Sequence, residues 1–162
     1  MYFAACIYSA LGFGLDSVVV QLFPLAFALG SFLTVAYYGL DHFNPENVKR
    51  RAHFSVRGYP YIGISAHTQH GLALPLVVLH ASRLQMEAKP EDSTILLTVG
   101  GYLAFYITYT FVNKAVSGAW VYPIIDDAQK AAGMAGVCIF VVCLCAVIAG
   151  CAYVGCWLLP AV

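Results

Sequence analysis

Charge is what this chain has least of. Charged residues fill 10% of its 162 positions, eight basic and eight acidic, against 61% hydrophobic residues, whereas a soluble domain carries about 25% charged residues. So few charges cannot clothe a water-facing shell, which excludes a soluble enzyme. The same apolar excess excludes an intrinsically disordered chain, whose mark is low hydrophobicity with high net charge. Formal net charge is zero, so the basic field that a nucleic-acid binder needs is missing. No Lys or Arg precedes the first apolar stretch and no small-residue cleavage pattern follows it, which speaks against a cleavable signal peptide. Internal repeats, low-complexity tracts and a second domain are absent too. What is present, at a mean hydropathy of +0.79, is an all-α polytopic membrane protein with one membrane domain, residues 1–162.

A helix needs about 20 mainly apolar residues to cross a bilayer. Four stretches without charge are long enough: 24 residues from Ser17 to Leu40, 22 from Tyr61 to Ser82, 21 from Ser93 to Asn113, and 32 from Ala131 to Val162. They predict spans over about 17–40, 61–82, 93–113 and 131–159. Residues 1–15 are also uncharged but too short to cross, and read as a short helix broken near Gly12 and Gly14 and ended by Asp16. Three polar segments join the spans. Asp41 to Pro60 holds half of the basic residues, and its Asn44-Pro45-Glu46 reads as a turn into a short surface helix. Arg83 to Asp92 is short and mixed in sign; Lys114 to Lys130 contains Trp120, Tyr122 and Pro123. The first and third segments carry six Lys and Arg against two in the second, which assigns their side to the cytosol or its organellar equivalent.

Five of the six cysteines fall in the last span, at spacings that contain no Cys-x-x-Cys, and no histidine accompanies them. They read as small packing residues rather than as a metal site. Ala132 with Gly136, Ala146 with Gly150, and Cys151 with Gly155 add small pairs four apart on the same helix, a surface that lets helices approach closely in lipid.

Chemistry, if present, belongs to the second span. His67 and His70 stand three apart, on one helical face, and an ionisable residue inside a membrane marks function by default. The other spans offer no histidine, so a bis-histidine haem within the chain is not expected. A di-iron site of the desaturase kind would need further histidine pairs, and His42, His53 and His80 stand alone. No metal site and no cofactor is therefore expected, although one axial bond to a chlorophyll-like pigment needs only His67 or His70 and stays open. In the plain structural alternative both rings hydrogen-bond to a neighbouring helix, at Tyr102, Tyr106 or Thr108.

Two motifs carry a family resemblance. His67-Thr68-Gln69-His70-Gly71-Leu72-Ala73-Leu74-Pro75 is similar to the Asn-His-Gly-x-His-Thr-x-x-x-Pro helix of the androgen-induced protein family, and Gly118-Ala119-Trp120-Val121-Tyr122-Pro123 to its Gly-x-Trp-Val-Tyr-Pro motif. Pro24 and Tyr37-Tyr38-Gly39-Leu40-Asp41 also resemble the helix that precedes them in that family. The resemblance covers roughly residues 16–156. It implies a multi-helix membrane hydrolase that cleaves lipid esters, notably fatty-acid esters of hydroxy fatty acids, with an intramembrane threonine and histidine. His70, five residues before Pro75, takes the place of the family's catalytic histidine, with His67, Trp120, Tyr122 and Pro123 as motif residues around it. The sequence departs from the pattern at Ala66, where the family has Asn, at Lys114-Ala115, where it often has paired histidines, and in having no threonine before Thr34. Ser9 is the one Ser or Thr ahead of Ser17 that could stand in for the nucleophile.

Two functions follow from these residues. The first is a non-catalytic accessory subunit of a larger membrane assembly, mitochondrial or plastid rather than of the endoplasmic reticulum, built on a shortened scaffold of the family. Its partners would be membrane lipids and other membrane subunits, with no nucleic acid. The alternative is a lipid-ester hydrolase with His70 as base. A Ser or Thr hydroxyl within hydrogen-bond reach of His70 favours the second. The tryptophan motif is expected beside His67 or His70, and the small faces of the last helix are expected to await foreign helices.

Overall fold

The computed structural model describes residues 2–82 and 90–158. Most of the expected Arg83–Asp92 connection and the end of the last span lie outside the described residues. Six helices occur among the described residues, and no strand. A short α1 (Tyr2–Ala10) precedes α2 (Asp16–Asp41), α3 (Pro45–Val56), α4 (Ile62–Ala81), α5 (Asp92–Ser117) and α6 (Pro123–Leu158). Four of them, α2, α4, α5 and α6, are long and apolar enough to cross a membrane. The protein is an integral, multi-pass, all-α membrane protein.

Local chemistry sets the breaks. Gly12 and Gly14 both take positive φ (86° and 67°) after α1, a backbone that residues with a Cβ avoid. The Asn44 side chain accepts from the backbone N–H groups of Glu46 and Asn47 at 3.0 and 3.4 Å, and Pro45 opens α3, where its missing N–H costs nothing. At the far end, α5 continues to Ser117 and α6 already starts at Pro123. Most of the segment expected as a polar connection is therefore helical. The expected start of the last span, Ala131, instead adjoins a kink: Ala132 (φ −144°) and Gly133 (φ 61°, ψ −151°) leave helical geometry.

The centre of the bundle is α2. One face packs Val19, Phe23 and Phe27 against Tyr2 and Ala5 of α1 and Val77 and Ala81 of α4. Another packs Ala28 against Ile95 and Val99 of α5 and Ile148, Ala152 and Cys156 of α6. Close approach on both sides depends on glycine. A Cβ at Gly30 would come within 3.2 Å of the Ala73 carbonyl oxygen on α4, and one at Gly155 would enter the Phe27 ring. The small pair Cys151 and Gly155 is thus packed inside the chain, contrary to the expectation that it awaits a foreign helix. Ala146 and Gly150 do face outward. Cys138 and Cys143 are exposed.

At the other end of the bundle the Tyr2 hydroxyl is hydrogen-bonded to His80 Nδ1 at 2.5 Å, which pins α1 to α4. Burial pushes the Tyr2 phenol well above its ordinary pKa, so it remains a neutral partner.

Candidate functional site

Three of the spans widen into single π-helical turns, Tyr37–Asp41 at the end of α2, His67–Gly71 in α4 and Leu96–Gly100 in α5. Such turns recur at functional sites because one extra residue re-aims its neighbours. The turns of α2 and α4 face each other. The Tyr38 hydroxyl and His67 Nδ1 are hydrogen-bonded at 2.9 Å. The Tyr37 ring stacks on His70 at 4.9 Å and 18°, and its hydroxyl meets His42 Nδ1 at 3.1 Å. The imidazoles of His42 and His67 lie 4.8 Å apart. His42 is therefore not isolated: the chain turns just beyond α2, and that turn returns its ring to the second span. The partners expected on α5 are not used. Tyr102 and Tyr106 stack on one another, and the Tyr106 hydroxyl donates to Tyr122 at 3.0 Å.

Thr34 joins the two spans from beneath. Its hydroxyl donates to the His70 carbonyl at 2.5 Å and accepts from the Leu74 N–H at 3.3 Å. In a regular helix the Leu74 N–H points at that same carbonyl, four residues back. Thr34 thus bridges the two ends of one rung of the α4 ladder, next to Pro75, which has no N–H of its own to offer. A hydroxyl does reach His70, but at the main chain, and both its hydrogen and its oxygen are engaged. The His70 ring is different. Its Nδ1 is buried and has no hydrogen-bond partner among the described residues.

Above the histidines an open groove is lined by Tyr38, Ile64, His67, Thr68, Gly71 and Leu72. A Cβ at Gly71 would lie 2.5 Å from the Tyr38 hydroxyl, so glycine there is what lets Tyr38 reach His67. The cluster is tied to α3 by Arg51, which donates to the Asp41 carboxylate at 2.8 Å and to the His42 carbonyl at 2.5 Å.

The remaining sequence-predicted residues lie elsewhere. Ser9 donates to the Asp16 carboxylate at the start of α2, 21 residues before Tyr37 and so about 30 Å away along the helix. That distance separates it from His70. Trp120 donates through Nε1 to Gln129 at 2.6 Å, packs edge-on against Phe111 and lies under Lys114. With Ile125 and Val137 it forms a core of its own at the turn from α5 to α6. The motif is on the same side of the bundle as the histidines, but among the described residues no hydrogen bond or ring contact joins them. The Gln129 bond and the Phe111 contact hold Trp120 at the turn from α5 to α6. Pro123 begins α6, where a missing N–H is tolerated.

Sequence reasoning passed over Tyr37, Tyr38 and His42 as site residues. The usable signal was their place at the end of the first span, since the second span starts on that same side. Among the described residues no group of three or more His, Cys, Asp or Glu side chains gathers as a metal site would. Residues 17–158 match the family model described as FAR-17a/AIG1-like protein. No curated protein and no solved structure matches the chain.

Proposed function

The chain belongs to the FAR-17a/AIG1-like protein family, and from that premise we propose that it is an intramembrane hydrolase of lipid esters in which His70 carries the proton. One observation supports this reading most: the His70 ring, stacked on Tyr37 between two π turns, has a buried nitrogen with no hydrogen-bond partner among the described residues. A buried polar atom left unpaired costs about 1–3 kcal/mol, and such atoms in native structures call for a catalytic or solvent partner. His67 and Tyr38 already satisfy each other, and Thr34 is held by main-chain atoms. With Thr34 engaged and Ser9 remote, the attacking group would be water, with His70 taking its proton and returning it to the leaving alkoxide. Substrate would be a long-chain ester entering from lipid, in line with what the family resemblance implies. The test is hydrolysis of such an ester by the purified protein. Wild type is expected to turn over, and His70→Ala to lose about 100-fold or more in rate. Equal rates for the two proteins overturn the reading.

A second reading is supported by a different observation. Only 6% of the most apolar window of α4, and 17% of those of α5 and α6, is buried within the chain. Outward-facing Ala146 and Gly150 add a small-residue surface. An accessory subunit of a mitochondrial or plastid complex would cover these faces with foreign helices. In that case wild type and His70→Ala would both be inactive, and the protein would leave the membrane as part of a larger assembly.

A further inference from the structure

The surface helix α3 has two unlike sides. Its inner side is fastened to the bundle through Arg51, by the bonds to Asp41 and His42. At 3.6 residues per turn, Lys49, Arg50 and His53 fall on the opposite side within an arc of about 100°, and Arg57 follows directly after the helix. All four are exposed. The one acid on that arc, Glu46, pairs with Lys49 at 3.4 Å. The side chains of Arg50 and Arg57 make no hydrogen bond or ion pair among the described residues. We propose that this basic stripe binds the anionic headgroups of phospholipids in the leaflet that α3 rests on.

The connections of α3 select that occupant over a soluble one. Residues 42–44 and 57–61 are all that separate α3 from the spans before and after it, so it cannot leave the headgroup level. Exposed aromatic rings mark that level at both ends, with Phe43 before the helix and Tyr59 and Tyr61 after it. Basic side chains beside a span draw anionic lipid to the surface in the same way.

The full chain in nanodiscs of mixed phosphatidylcholine and phosphatidylserine, with retained lipid counted by native mass spectrometry, tests the proposal. Wild type is expected to retain phosphatidylserine preferentially, and less so as salt is raised. Arg50→Gln with Arg57→Gln, both on an exposed face, is expected to lower that preference about fivefold per cation removed. Lys130→Gln, whose amine pairs with Asp126 on another helix at 2.6 Å, is expected to retain it. Equal retention of the two lipids by wild type, or an unchanged preference in the double variant, overturns the proposal. So does displacement of the lipid by inorganic phosphate or by a soluble acidic peptide, which would assign the stripe to a soluble ligand.

Discussion

At Thr34 one hydroxyl couples two spans by completing a rung of the other helix's hydrogen-bond ladder. Thr34→Val preserves shape but leaves the His70 carbonyl and the Leu74 N–H without that bridge. Thermal unfolding in detergent should show a loss of about 1–3 kcal/mol, with Thr34→Ser recovering most of it. Full stability in the valine variant would show that α4 closes the rung by itself. Gly71 makes a sharper test of the groove. Gly71→Ala should push the Tyr38 hydroxyl off His67, because the new methyl would lie 2.5 Å from that oxygen. An NMR change at the His67 ring with little change in melting temperature is the expected result, since the clash falls on the far end of the Tyr38 side chain, which can swing aside.

Among the elements, α2 and α6 show how a membrane helix uses small residues. Helices in lipid gain no hydrophobic drive from meeting, so close packing has to hold them. Gly155 lets α6 settle on Phe27, and Gly155→Leu should cost about 1–3 kcal/mol by overpacking. The matching change at Gly150, which meets nothing within 4 Å, should cost little in an isolated chain. If Gly150→Leu destabilises the protein in its native membrane but not when purified, a foreign helix covers that face. The Asn44 cap offers a check on α3: Asn44→Ala should weaken the helix by about 1 kcal/mol, read as faster amide exchange confined to residues 45–56.

For the molecule as a whole, the hydrolase and accessory readings diverge on assembly. Solubilised gently, a solitary hydrolase should migrate near its 17.5 kDa mass plus detergent, with activity in the same fraction. Migration with a much larger complex, together with inactivity, would instead favour the subunit.

Composition and charge-free runs were enough to establish a membrane protein with four long apolar helices. Hydrocarbon accepts no unpaired backbone, so a long uncharged run has a helix as its solution. The paired motifs around His70 and Pro123 were enough to point to the family. The Asn44-Pro45 start of α3 was legible for a similar reason, since a cap is a local bond between neighbours in sequence. Contacts between distant residues were not legible in this way. That His42 meets His67, that Thr34 closes a rung of α4, and that Gly155 faces Phe27 rather than a partner all depend on how helices rotate about their axes. Rotation was undetermined because α2, α4 and α6 are apolar around most of their circumference, so hydropathy marks no preferred face. The π turns at Tyr37–Asp41 and His67–Gly71 shift that rotation again by a residue each. Only the packed bundle, with its glycine contacts and its hydroxyl bridge, selected which side chains meet.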